Sequence, residues 1–182
     1  VNGASYASVV ALSWNTNDGF YSFSNKYLTV EKTVTIKGDL NINGGAFTFY
    51  DDDVPQHLII DGDINISNKT NGACIIAWDS EMTPWTPYHN GPTVTNTLVI
   101  GGSVNNNGVD AATYFRGMNL IRTYTDATPH YVDVTFTGSN NSLVTGSGTY
   151  VFNKVIINKG ITQSPTITIN STGTFTTNND NW

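Results

Sequence analysis

One cysteine, two arginines and seven leucines in 182 residues set the first limits. The lone Cys74 excludes an intramolecular disulfide framework and any zinc site built from cysteine thiolates. It lies in Ala73-Cys74-Ile75-Ile76-Ala77, an apolar run that reads as buried, inert core rather than as a reactive thiol. Basic residues are also scarce: 8 Lys+Arg stand against 14 Asp+Glu, a net charge of -6. With the pI near 4.7, no basic stripe exists to neutralise phosphates, so no nucleic-acid partner is expected and an anionic membrane surface fits no better. No apolar run approaches the ~18 residues of a membrane span, and no membrane insertion is expected. The chain does not open on methionine and shows no basic segment followed by an apolar one, so it reads as a mature protein or as part of a longer one.

What the chain does have is 23 Asn and 26 Thr, with 38% hydrophobic residues. These proportions favour strands and turns over helices, in a chain long enough for one domain with its own core. A repeat is legible within it. Val34-Thr35-Ile36-Lys37-Gly38-Asp39-Leu40-Asn41 is matched by Leu58-Ile59-Ile60-Asp61-Gly62-Asp63-Ile64-Asn65, by Leu98-Val99-Ile100-Gly101-Gly102-Ser103-Val104-Asn105, and by Val134-Thr135-Phe136-Thr137-Gly138-Ser139-Asn140-Asn141. The shared pattern is apolar-x-apolar-x-Gly-[Asp/Ser]-x-Asn at spacings of 24, 40 and 36 residues. Ile167-Thr168-Ile169 reads as a weaker fifth copy, while Leu28-Thr29-Val30 and Val155-Ile156-Ile157 show the alternation off phase. A second strand follows each of the first three motifs, at Ala46 to Asp51, Ala73 to Asp79 and Ala111 to Arg116, each closing on an aromatic residue and a charge.

Two strands recurring in every repeat predict a right-handed parallel β-helix over 28–182, with 1–27 as an N-terminal cap or a preceding coil. Apolar residues at alternate positions point inward and each coil stacks on the next at the ~4.8 Å strand spacing. Gly38, Gly62, Gly102 and Gly138 supply the tight corner, and Asn41, Asn65, Asn105 and Asn141 are expected to stack as a ladder of side-chain amides. The alternative is a β-sandwich or jelly roll, which explains short strands but not the repeated Gly-x-x-Asn.

The loops expected after the second strands leave from one corner of such a solenoid, where function commonly sits. They hold Asp51, Asp52, Asp53 and His57, then Asp79, Glu81, Trp85, Tyr88 and His89, then Arg116, Arg122, Tyr124 and His130. All three histidines and both arginines fall there. Asp52, Asp53, Asp79 and Glu81 are the carboxylates available for glycoside hydrolysis, and Arg116 or Arg122 could serve a lyase. Asp51, Asp53 and Asp79 could bind calcium, which takes oxygen ligands; no other cofactor is implied. Trp85, Tyr88, Tyr124 and His130 could contact a sugar without any chemistry. Each group has a plainer reading as a solvated turn, an edge cover or an aromatic stack.

The stretches Gly38 to Gly44, Leu98 to Gly108 and Thr166 to Gly173 resemble the Asn/Thr/Gly-rich repeats of large surface proteins of Bacteroidota, exported by type IX secretion and including gliding adhesins. That resemblance implies a secreted or cell-surface location and a structural or adhesive role. The partners it implies are surface glycans or other copies of a surface protein, with the secretion machinery in transit. A C-terminal sorting domain of that family is not visible. The leading expectation is therefore a non-catalytic extracellular solenoid segment. The alternative is a carbohydrate-active β-helix, hydrolase or lyase, or a glycan-binding module.

Overall fold

The computed structural model describes residues 5–6, 9–12, 27–30, 33–42, 46–49, 55–67, 74–76, 95–108, 117–124, 127–160 and 164–178. The chain is a parallel β-helix. Its strands succeed one another coil by coil: β1 (Ser5–Tyr6), β2 (Val9–Leu12) and β3 (Tyr27–Val30); β4 (Thr33–Ile36), β5 (Leu40–Ile42) and β6 (Ala46–Phe49); β7 (His57–Ile60), β8 (Ile64–Ile66) and β9 (Cys74–Ile76). The series continues with β10 (Thr95–Ile100), β11 (Val104–Asn106) and β12 (Gly117–Asn119), an added strand β13 (Ile121–Tyr124), then β14 (Ala127–Phe136), β15 (Ser142–Gly146) and β16 (Tyr150–Phe152). The last described coil is β17 (Lys154–Ile157), β18 (Ile167–Ser171) and β19 (Phe175–Thr177). Every third strand joins the same sheet, so three sheets run the length of the stack: β1-β4-β7-β10-β14-β17, β2-β5-β8-β11-β15-β18 and β3-β6-β9-β12-β16-β19. All these pairings are parallel; among the described strands β13 alone pairs antiparallel, with β14.

Alternation dictates which side chains fill the interior, because successive residues of a strand point to opposite faces. In the first sheet Ile36, Ile60, Ile100 and Phe136 are register partners, and so are Val34, Leu58, Leu98 and Val134; all eight are buried. In the second, Leu40, Ile64, Val104 and Val144 form the same kind of column. In the third, Ile75, Met118 and Tyr150 are in register and fully buried. Burying each such side chain contributes about 1.5–3 kcal/mol before chain entropy is counted, and the columns make that contribution repeat with every coil.

The structure revises three details of the repeat. Each coil has three strands rather than two, because the Gly motif spans a corner: its apolar half ends a strand of the first sheet and its x-Asn half begins the second. Ile167–Ile169 pairs with Ser142–Val144 in the second sheet, so the fifth copy in the first sheet is Val155–Ile157, in register with Val134–Phe136. The third-sheet strand of the fourth coil is described over Gly117–Asn119, in register with Cys74–Ile76, and Ala111 to Arg116 lie outside the described residues. In β9 Ile75 is fully buried, and the side chain of Cys74 lies outside the described residues. Within the stretch numbered 1–27, β1 and β2 lie parallel to β4 and β5.

Candidate functional site

The best-defined polar constellation lies at the first corner. There β4 hands over to β5, β7 to β8 and β10 to β11 through only three residues each. So short a turn repeated coil on coil brings backbones into contact: Gly62 N donates to the Gly38 carbonyl at 3.1 Å, and Gly102 N to the Gly62 carbonyl at 3.0 Å. A Cβ on Gly62 would lie 2.2 Å from Asp39 Oδ1 and 2.7 Å from the Gly38 carbonyl carbon, and a Cβ on Gly102 would meet Asp63 and Gly62 in the same way. The motif's glycine is thus required by close approach. At Gly138 the reason changes, since its φ is +87°, in the left-handed region where Gly has no steric penalty.

The residue after the glycine forms a ladder that the sequence pattern displays without explaining. Asp39 Oδ1 accepts from Asp63 N at 2.8 Å, Asp63 Oδ1 from Ser103 N at 2.6 Å, and Ser103 Oγ from Leu143 N at 3.1 Å. Only a short side chain with an acceptor oxygen reaches the next coil this way, which accounts for the Asp/Ser alternation in the motif.

Two residues further on, Asn65 Nδ2 donates to Asn41 Oδ1 at 3.0 Å, with Asn105 next in register above Asn65. Thr145, and not Asn141, is the register partner of Asn105, and its hydroxyl lies 3.4 Å from Asn105 Oδ1. Asn141 is displaced because Phe136 and Val144 are eight residues apart where their register partners Ile100 and Val104 are four apart, so four extra residues enter at this corner. It instead accepts from Thr166 N at 2.9 Å, and Ser142 Oγ bonds the Gly102 carbonyl at 2.6 Å.

Further polar groups also join one coil to another. Lys37 and Asp61 form a 2.9 Å ion pair, both side chains well exposed, so it adds little to stability. His57 Nδ1 and Thr97 Oγ1 share a 2.6 Å hydrogen bond. Asn153 Nδ2 donates to Asp133 Oδ1 at 2.6 Å, and Asn178 Nδ2 to Asn153 Oδ1 at 3.2 Å. Lys159 Nζ donates to the carbonyls of Thr137 and Asn140 at 2.8 and 2.7 Å, and burial draws its pKa below the ordinary lysine value. Inside, Asn106 takes an inward position and is fully buried. Its Nδ2 donates to the Thr149 carbonyl, its Oδ1 accepts from Gly108 N, and its own N–H reaches the Tyr150 hydroxyl, which donates to the Thr145 carbonyl. Burial pushes the Tyr150 phenol far above the usual tyrosine range.

Of the residues singled out for chemistry, Asp51, Asp52, Asp53, Asp79, Glu81, Trp85, Tyr88 and Arg116 lie outside the described residues. Residues 116–131 do not form a single loop, as was expected, because β12, β13 and the start of β14 fall within them. Arg122 and Tyr124 belong to β13 and His130 to β14, in an antiparallel hairpin that places Arg122 opposite His130 and Tyr124 opposite Ala127. His57 likewise opens β7 rather than lying in a loop. Among the described residues no group of three or more His, Cys, Asp or Glu is placed to hold a metal ion. Nor, among them, is any helix long and apolar enough to cross a membrane. Comparison with family models, curated proteins and solved structures gives no match to the chain.

Proposed function

We propose that this chain is a non-catalytic solenoid segment of a secreted or cell-surface protein, with a structural and adhesive role. One observation carries this reading: the polar side chains of the repeat bond coil to coil. Asp39, Asp63 and Ser103, then Asn41 and Asn65, then Asp133 and Asn153 each join successive coils and do not converge on a common point. Side chains used in this way extend a scaffold and leave loops free to vary. The resemblance to Bacteroidota surface repeats adds export by type IX secretion, with surface glycans or other copies of a surface protein as partners. Surface protease shaving of the native cells tests the location, since an exposed scaffold loses this chain while the cells stay intact. Recovery of the intact chain only from the cytosol overturns it.

A second reading is favoured by the β13–β14 hairpin, in which Arg122 and His130 are register partners and Tyr124 is two residues on. A cation, an imidazole and a phenol on one ribbon suit a glycan, bound or cleaved together with Asp52, Asp53, Asp79 and Glu81. A panel of polysaccharides separates the two readings. The scaffold releases no reducing ends and no unsaturated sugars. Release that disappears in Asp79→Asn or Asp52→Asn would instead make the chain a carbohydrate-active enzyme.

A further inference from the structure

On the outer face of the first sheet, the bonds that join coils also fix a row of polar side chains. His57 is the register partner of Thr97, and Thr97 of Asp133, so the three stand one above another on β7, β10 and β14. All three take outward positions of the alternation and are half-buried, while Leu58, Leu98 and Val134 beside them are buried. Tyr131, also half-buried, precedes Asp133 by two residues and shares its face. The row lies in the middle of the stack, with β4 on one side and β17 on the other.

Two members of the row are held by one atom and offer another. The His57 Nδ1–Thr97 Oγ1 bond fixes the imidazole and leaves Nε2, and Asn153 Nδ2 donates to Asp133 Oδ1 and leaves Oδ2. Among the described residues neither Nε2, nor Oδ2, nor the Tyr131 hydroxyl has a hydrogen-bond partner. Beneath the row the interior changes character. Inward positions of this sheet hold Val34, Leu58, Leu98 and Val134, whereas Gln56 and Asn96, just before His57 and Thr97, are polar and only 1% and 3% exposed. Asn96 Oδ1 accepts from Gln56 N at 2.7 Å, and Thr97 N donates to the Gln56 carbonyl at 2.9 Å. Buried polar groups cost stability unless bonded, and these bonds fix the backbone from which His57 and Thr97 project.

Positioned donors and acceptors beside an aromatic ring suit a sugar: the ring packs on its C–H face while the carboxylate and imidazole take its hydroxyl groups. Charge selects a neutral one, because Lys154, next in register to Asp133, carries the opposite sign and leaves the row without an excess of either. We propose that His57, Thr97, Tyr131 and Asp133 form a binding site for a neutral polysaccharide laid along the stack. Its sugars span two strand spacings, about 9–10 Å, between Asp133 and His57. The site rests on the reading of the chain as an adhesive scaffold, and the two fail separately. A chain exposed on cells that binds no neutral polysaccharide rejects the site alone, and a binding chain found only in the cytosol rejects the location alone.

The test is affinity electrophoresis of the full chain through gels holding xylan, galactomannan, mixed-linkage β-glucan or dextran, beside gels holding anionic pectate. At least one neutral polymer is expected to retard wild type, and more strongly than pectate does. Tyr131→Ala and Asp133→Ala should each weaken that retardation about tenfold or more, with circular dichroism showing both variants folded. Asn170→Ala, on the outer face of the second sheet, should leave it unchanged. Wild type unretarded in every neutral gel, retardation by pectate at least as strong, or retardation that survives either substitution overturns the proposal. If an alanine variant does not fold, Tyr131→Thr or Asp133→Asn takes its place and is read by the same criteria.

Discussion

At the scale of single residues, two glycines of similar placement separate close approach from mere turn chemistry. A Cβ on Gly62 would stand 2.2 Å from Asp39 Oδ1 and within 2.8 Å of the Gly38 carbonyl group, whereas a Cβ on Gly160 meets nothing nearer than Ser139 at 4.0 Å. Gly62→Ala is therefore expected to destabilise the fold by about 1–3 kcal/mol, the ordinary penalty of forcing atoms into a filled space. Gly160→Ala should be neutral or stabilise by up to ~1 kcal/mol through the unfolded chain. Urea titration of both variants beside wild type checks the pair, and equal effects would remove the stacking argument. Tyr150 gives a second test. Its buried hydroxyl accepts from Asn106 N and donates to the Thr145 carbonyl, so Tyr150→Phe leaves two backbone groups without that partner and should cost about 1–3 kcal/mol. The phenol is neutral in both states below the ordinary value of 10.0. Above it the unfolded chain loses this proton while burial keeps the folded one protonated, so stability falls as pH rises beyond 10.0. Tyr150→Phe should flatten that alkaline slope; denaturant midpoints measured through this pH range decide it.

At the scale of elements, the ladders show which features a sequence can reveal. The Gly-[Asp/Ser]-x-Asn corner was legible because a three-residue turn stacked on itself admits few side chains, so Gly62 and Gly102 recur with the same neighbours. Assignment to a sheet was not. An apolar-x-apolar strand serves all three sheets equally well, and nothing in Ile167-Thr168-Ile169 distinguishes the second sheet from the first until register is known. Asn141 misleads for a related reason: the motif spacing persists through it, but four extra residues between Phe136 and Val144, the register partners of Ile100 and Val104, move the ladder position to Thr145. The region of Arg122 and His130 resembled a loop by its turn residues and proved to be a hairpin. The distinction has a measurable consequence. Asn65 sits half-buried in the ladder and bonds Asn41, so Asn65→Ala should destabilise by about 0.5–1.5 kcal/mol. Asn141→Ala removes one exposed bond to Thr166 N and should stay within ~0.5 kcal/mol of wild type. Thermal unfolding of the two variants, with equal losses as the contrary result, tests which residue belongs to the stack.

At the scale of the whole molecule, a stack in which each coil touches only its neighbours has a stability that varies along its axis. Ile64 and Ile169 make this concrete, since they occupy one column of the second sheet, joined in register through Val104 and Val144. Ile64 has a coil on either side and is fully buried; among the described residues Ile169 has one on a single side, and it is 45% exposed. Ile64→Ala should cost about 2–5 kcal/mol, and the same substitution at Ile169 less than half of that, because much of its side chain already faces water. Backbone protection should follow the same gradient. Amides of β18 and β19 are held against β15 and β16 with no strand beyond them among the described residues, while those of β8 and β11 lie within their sheet. Opening the last described coil breaks one described interface and opening a central coil breaks two, so hydrogen exchange should reach 167–177 well before 58–66 and 98–106. Uniform protection in dilute solution would mean that the chain opens as one unit.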